Sequence, residues 1–289
     1  MARRSFGKKE KAFDAVVIIL VAIIALITLF PLLNVLAASF SSADKIVAGE
    51  VGIFPIGFTL DGYKLIFENK EIWSGFLNSL LYTFIGTVIQ VTCQMLCAYP
   101  LSRKDFKGRK IINLILVLTM FISGGMIPTY LLISQLKLLN TIWAIILPGC
   151  ISVFNIIVIR TYMETSIPME VQEAAMIDGC GDFQIFLRIV LPLCRPVIAI
   201  MLLYAIVGYW NSYYNAMIYV TDQSLYPLQN VLNNILISNE SSLGGGTDTN
   251  LAEQLKYVTI VVSSLPLLII YPFFQKYFEK GVTLGGVKG

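Results

Sequence analysis

Histidine is absent from all 289 residues. Imidazole acid–base chemistry, histidine-containing catalytic triads and nearly every zinc site are therefore excluded. Charge is scarce as well: Asp, Glu, Lys and Arg make up 13% of the chain, against about 25% in a soluble domain. The net charge of +3 is small and dispersed, so nucleic acid is not an expected partner. No G-x-x-x-x-G-K-[ST] phosphate loop occurs, which leaves the chain without an ATPase site of that kind. Cysteine is limited to Cys93, Cys97, Cys150, Cys180 and Cys194, an odd number with no C-x-x-C pair. That argues against a disulfide framework and for thiols packed as small hydrophobes. No catalytic residue, metal ligand or bound cofactor is expected.

What the chain has instead is apolar length. Hydrophobic residues make up 56% of it, and the mean hydropathy is +0.75. A helix needs about 20 apolar residues to cross the hydrocarbon core. Six segments qualify, at 15–38, 76–100, 111–135, 141–163, 196–220 and 257–278. The first is too long for a signal-peptide core and is followed by five more, so it reads as an uncleaved span. The expected fold is all-α, a polytopic six-helix membrane domain over 15–278 with tails at 1–14 and 279–289.

Basic residues orient the spans. Arg3, Arg4, Lys8, Lys9 and Lys11 lie in the first tail, Arg103, Lys104, Lys107, Arg109 and Lys110 follow the second span, and Lys280 and Lys288 follow the sixth. The opposite connections are poorer in them, which places both termini in the cytoplasm of a multi-pass plasma-membrane protein. Two outer loops, 41–75 and 221–256, are long enough to be functional or disordered, and Ser241–Thr247 reads as a flexible tip. Prolines interrupt several spans, most sharply at Gly124, Gly125 and Pro128. Two glycines before a proline predict a bend in the third span, equally a packing kink or a functional hinge.

A charged segment at 165–190 sits between the fourth and fifth spans. Pro168 can open a helix with Ser166 or Thr165 near its cap. The helix then propagates through Glu173, Ala174 and Ala175, and Gly179 falls where a left-handed C-terminal residue is wanted. Asp182 can cap a second short helix, which Leu191-Pro192 would end. The two alanines offer a flush face to a partner, and Glu173 and Asp178 offer charge. A helix that merely lies on lipid usually carries Lys and Arg on its polar face, whereas residues 164–182 hold Glu164, Glu170, Glu173, Asp178 and Asp182 and no Lys or Arg.

The run Glu173-Ala174-Ala175, three residues, Gly179, nine residues, Ile189-Val190-Leu191-Pro192 resembles the EAA signature of ABC importer permeases. Nearly the whole chain is similar to that family, and more narrowly to its maltose-type carbohydrate-uptake class, in a multiple-sugar and oligosaccharide branch of Gram-positive bacteria. Gly125–Tyr130, Tyr209–Asn215 and Gln275–Gly289 carry further resemblance; Cys180 departs from the alanine common after the motif glycine. The resemblance implies a type I importer permease fold, with Glu173, Ala174, Ala175, Asp178, Gly179, Ile189, Leu191 and Pro192 coupling to an ATPase. It also implies a second homologous permease, two ATP-binding-cassette subunits carrying ATP and magnesium, and an extracellular solute-binding lipoprotein. Sugar import would proceed by alternating access.

Sugars present hydroxyl edges and apolar faces, so their pathway needs amide and aromatic groups. Tyr209, Trp210, Asn211, Tyr213, Tyr214 and Asn215 near the end of the fifth span supply that mixture, joined by Asn78 and Tyr82 on the second. An interfacial aromatic belt accounts for the same cluster equally well. A non-sugar solute remains an alternative cargo. An ion-coupled secondary transporter would call for carboxylates inside the spans, and an intramembrane enzyme for paired acids, neither of which the spans supply.

Overall fold

A computed structural model describes residues 8–122, 124–241 and 249–285. Every regular element among them is helical. The order is α1 (Lys8–Ser39), α2 (Ala43–Val47), α3 (Asp61–Glu68), α4 (Lys70–Ser102), α5 (Arg109–Phe121), α6 (Met126–Gln135), α7 (Ile142–Ile146) and α8 (Val153–Ser166). There follow α9 (Met169–Ile177), α10 (Asp182–Ile185), α11 (Leu191–Leu193), α12 (Arg195–Trp210), α13 (Tyr214–Tyr219), α14 (Leu228–Ser241) and α15 (Thr249–Gly285).

Three single helices are long and apolar enough to cross a bilayer, at Phe13–Ser39, Lys70–Ser102 and Glu253–Gln275. Three bent pairs complete six spans: α5 with α6, α7 with α8, and the 182–193 stretch with α12. The third span breaks where the glycines predict. Gly125 adopts φ 84°, ψ 177°, a region open essentially to glycine alone. Pro128 then stands in the first turn of α6, where a missing N–H costs no hydrogen bond.

The chain separates into two compact units, Met1–Asn69 with Asn233–Leu265, and Lys70–Leu232 with Pro266–Gly289. In the second unit α4 is the central helix, packed along α12 and α8. Its Gly86 admits the ring of Tyr209: a Cβ there would fall 2.6 Å from the ring. The Tyr209 hydroxyl donates to Ile146 O at 3.0 Å. Ile146 lies where α7 gives way to the 3₁₀ turn Leu147–Gly149, and there Cys150 N–H turns to Leu147 O. The core of this unit runs through Tyr82, Met95, Ile145, Ile159, Val190 and Met201.

Two expectations about boundaries are corrected. The two long connections are not structureless: 41–75 contains α2, α3 and the start of α4, and 221–256 contains α14 and the start of α15. Of the Ser241–Thr247 tip, 242–247 lie outside the described residues. The fifth span does not continue to residue 220, since α12 stops at Trp210. Asn211 N–H and Nδ2 both donate to Val207 O, at 3.2 and 2.9 Å, and Ser212 N–H turns back to Tyr209 O at 3.1 Å in place of the i−4 carbonyl, which closes the helix. Its start agrees with expectation, since α12 begins at Arg195.

Candidate functional site

The segment between α8 and α12 forms a helix, an elbow and a second helical arm. Residue type fixes the elbow locally. Gly179 takes φ 83°, a left-handed conformation that costs an L-residue about 1–2 kcal/mol. Its N–H donates to Met176 O at 3.0 Å, and Cys180 N–H donates to Ala175 O at 2.9 Å. This pair of bonds closes the last turn of α9 and satisfies carbonyls left open at a helix end. A Cβ at Gly179 would meet nothing within 4 Å, so the glycine is required by its backbone angle and not by crowding.

Helical periodicity divides α9 into two faces. Gln172 and Ala175 are buried, while Glu170, Glu173, Ala174 and Ile177 stand exposed along the opposite stripe. Ile177 is 86% exposed, an unusual place for a β-branched apolar side chain between two acids. Phe183 on the second arm is also exposed. The flush face expected from both alanines is therefore corrected: Ala174 faces outward, but Ala175 packs into the core of its own unit. Asp178 and Pro192 are exposed, and Ile189 and Leu191 are partly buried against the core.

Three further details differ from expectation. Pro168 precedes α9 with an extended ψ of 137°. Ser166 belongs to the last turn of α8, and the Thr165 hydroxyl donates back to Thr161 O at 2.9 Å, so neither caps α9. Asp182 does not cap the second arm either, because Gly181 occupies the N-cap. Nor does Leu191-Pro192 end that arm. Phe186–Val190 widens into a π turn in which Leu191 N–H bonds Phe186 O. The chain stays helical through Leu193 and then bends by 81° into α12. Pro192 lacks the N–H that an ordinary helix would give to Arg188 O, and the wider turn accommodates that loss.

Asp182 is engaged by Arg103, just beyond α4. The guanidinium is 6% exposed. It binds Asp105 through Nε at 3.0 Å and Nη2 at 2.9 Å, and lies 3.3 Å from the Asp182 carboxylate. Nη1 donates to the Tyr99 hydroxyl at 3.0 Å, and Nη2 lies 3.8 Å from Met176 Sδ on α9. Asp105 holds the guanidinium pKa above its ordinary value, against the opposing effect of burial. The hydrogen bond from Arg103 in turn holds the Asp105 carboxyl below the usual range. One side chain thus ties the end of the second span to both arms of this segment. Beside it lies a cavity of about 650 Å³ walled by Leu96, Pro100, Phe106, Phe183 and Phe186. A second tie runs from Arg109 on α5 to Glu164 on α8, 3.3 Å apart.

Sequence reasoning counted Arg103 only as one of several basic residues after a span. Nothing local distinguishes it from Lys104, because its partners at 176 and 182 lie far along the chain. Ile177 was legible in principle, four residues after Glu173 on the same helix stripe.

The aromatic and amide cluster divides. Tyr82, Tyr209 and Trp210 are buried. Tyr82 donates to Leu225 O at 2.9 Å, and Trp210 packs edge-on to Phe76. Asn78 Nδ2 donates to Ser224 O at 2.8 Å and Tyr226 O at 3.1 Å, and Asn215 Nδ2 donates to Ile145 O at 3.3 Å. Asn211 and Tyr214 are exposed, with Tyr213 between them partly buried. Tyr82, Tyr209, Asn78 and Asn215 are committed to helix and loop carbonyls; at the exposed break between α12 and α13, Asn211 Nδ2 is bonded to Val207 O and the Tyr214 hydroxyl donates to Met126 Sδ at 3.2 Å.

Comparison with known proteins gives one consistent picture. The family described as binding-protein-dependent transport system inner membrane component matches residues 72–284. A Bacillus subtilis (strain 168) protein, the polygalacturonan/rhamnogalacturonan transport system permease protein YtcP, is 40% identical over 97% of this chain and 100% of its own length. The arabinooligosaccharides transport system permease protein AraQ of Halalkalibacterium halodurans is 32% identical, covering 93% of this chain and 94% of its own. Among solved structures, a chain of a bacterial ABC transporter involved in the import of the acidic polysaccharide alginate aligns with TM-score 0.84 and 31% identity. That alignment covers 94% of this chain and 99% of the other.

Proposed function

Because the chain belongs to the family of binding-protein-dependent transport system inner membrane components, we propose that it is the membrane-spanning half of a sugar importer, driven by ATP hydrolysed on other subunits. Its cargo is an oligosaccharide delivered by an extracellular solute-binding lipoprotein. A second homologous permease completes the pathway, and two ATP-binding-cassette subunits, holding ATP and magnesium, dock beneath. Both termini lie in the cytoplasm of a Gram-positive cell. The relatives' substrates include acidic chains, polygalacturonan and alginate, beside arabino-oligosaccharides, so uronate oligomers belong with neutral ones in the candidate set.

The observation that carries this reading is the exposed stripe of Glu170, Glu173, Ala174 and Ile177 on a helix whose other face is buried. An apolar side chain set between acids on a fixed helix fits a groove with an apolar floor and basic rim. Motion imposed on α9 reaches α4 through Arg103 and α12 through the π turn. Those two spans pack along each other, so a push on the segment moves the centre of the unit as one body. Asn211, Tyr213 and Tyr214 are the cluster residues that would meet sugar, a reading supported by the exposure of Asn211 and Tyr214 where α12 ends. Gly124, Gly125 and Pro128 give the third span a point about which to flex.

The test is ATPase activity of the assembled complex in nanodiscs, with and without binding protein loaded with uronate or neutral oligosaccharides. Stimulation by one class that disappears in Gly179→Asp is expected. A chain that co-purifies with no ATPase, and transports normally as Gly179→Asp, would overturn the proposal.

A further inference from the structure

Between α1 and α3 the chain carries ten consecutive uncharged residues, 51–60, flanked by Glu50 and Asp61. Their apolar side chains point away from the protein: Phe54 is 74% exposed and Phe58 68%, with Ile53 and Ile56 beside them. A contiguous exposed apolar cluster marks an interaction surface. The backbone beneath is tightly fixed. Asn34 Nδ2 donates to both Val51 O and Gly52 O at 2.9 Å. Ile56 N–H donates to Ser41 Oγ at 3.0 Å, Ser42 N–H to Ile56 O at 3.1 Å, and Thr59 N–H to Phe40 O at 3.0 Å. Gly57 takes φ 68°, and a Cβ there would fall 2.5 Å from Ser42 Oγ, so this turn closes directly on the end of α1. The Phe58 ring stacks on Phe40 with centroids 5.7 Å apart. The chain has already fixed this backbone, so presenting the apolar side chains requires little further ordering.

The attachment point gives the depth. The uncharged run of α1 begins at Ala15, after Asp14, and its large side chains from Val16 to Leu33 are exposed. At about 1.5 Å per residue Asn34 stands about 29 Å farther along, close to the ~30 Å hydrocarbon thickness. The turn that Asn34 holds therefore lies at the far hydrocarbon edge, beside a helix whose apolar side chains are open along its length.

We propose that residues 51–60 form a membrane hook. Phe54 and Phe58 insert at the headgroup–acyl boundary of the leaflet opposite the N-terminus and anchor the loop that leads into the second span. Insertion is apolar and does not depend on anionic headgroups: 51–60 contain no Lys or Arg, and nearby Lys45 is paired with Glu50 at 2.7 Å. The hook requires only that α1 cross the bilayer; neither cargo nor ATPase enters.

The test places the photoreactive analogue benzoylphenylalanine at Phe54, at Phe58 and, as control, at exposed Lys64 on α3. The complete complex is irradiated in nanodiscs of phosphatidylethanolamine and phosphatidylglycerol and analysed by mass spectrometry. Phospholipid adducts at positions 54 and 58, severalfold above position 64, are expected. Adduct yields equal to the control, or crosslinks from position 54 to the binding protein or second permease in place of lipid, would overturn the hook. If substitution at Phe54 prevents assembly, the same comparison at Ile53 gives the same two readings.

Discussion

The guanidinium of Arg103 lies 3.3 Å from the carboxylate of Asp182, joining the end of the second span to the second arm of the segment between α8 and α12. The same side chain lies 3.8 Å from Met176 Sδ in the first arm. Because it is buried and bound by Asp105 and Tyr99 as well, it behaves as a bolt and not as a surface ion pair of negligible worth.

Arg103→Ala should leave the complex assembled but loosen this joint. Loss of charge-assisted hydrogen bonds costs about 1–3 kcal/mol, visible as a lower melting temperature. Sugar-stimulated ATPase should fall relative to the basal rate. Arg103→Lys, which cannot form the two-pronged contact with Asp105, should recover stability better than coupling. Equal loss of basal and stimulated rates would count against a role in transmission.

The elbow makes a prediction about side-chain type. Since Gly179 faces open space at φ 83°, an uncharged substitution meets only backbone strain, about 1–2 kcal/mol for alanine, whereas aspartate adds a charge on the face offered to the ATPase. Asparagine tolerates the left-handed region better. The expected order of retained transport is Gly, then Asn, then Ala, measured as sugar uptake into proteoliposomes.

Ile177 contacts little of its own chain, so Ile177→Ala should leave the permease's stability within about 0.5 kcal/mol of wild type, read by thermal unfolding. Binding of the ATPase subunit should weaken by about 1–2 kcal/mol, or roughly tenfold in Kd, as for a buried apolar anchor. Titration of permease-containing nanodiscs with ATPase reads the second quantity. An unchanged Kd would remove Ile177 from the interface.

Gly86→Ala sets a methyl group 2.6 Å from the Tyr209 ring and must push α12 from α4. Overpacking of this kind costs about 1–3 kcal/mol. Tyr209→Phe keeps the ring and loses only the bond to Ile146 O, about 1 kcal/mol. Thermal unfolding in detergent should rank the two in that order.

The Arg103–Asp105 pair also fixes a pH response. The Asp105 carboxyl is depressed in the folded state by its hydrogen bond from Arg103. Its stabilisation is therefore complete above the ordinary aspartate value, about 3.9, and is lost as pH falls through the lower folded value. The melting-temperature gap between wild type and Asp105→Asn should stay constant from about pH 8 to 5 and close only below about pH 4. A gap that closes near pH 6 would contradict the pairing.

The helix and elbow at 169–179 were legible because their determinants are short-range. The helical run before Gly179, the left-handed residue itself and the missing charge of one sign all lie within a few positions of each other. The break in the third span was legible for the same reason, since only glycine fits Gly125. Pro192 misled because proline next to an apolar span reads as a terminator, whereas here a π turn carries the helix past it.

By itself the sequence determined the apolar spans, the elbow at Gly179 and the EAA spacing, all set by side-chain hydropathy and local backbone sterics. Only the tertiary structure decided which alanine faces out, that Arg103 grips Asp182 and Met176, and that Tyr82 and Tyr209 are used to hold loop and helix carbonyls. Those outcomes depend on groups distant in sequence meeting in one buried place, where an unpartnered polar atom is costly. No local pattern encodes which distant group will meet that demand.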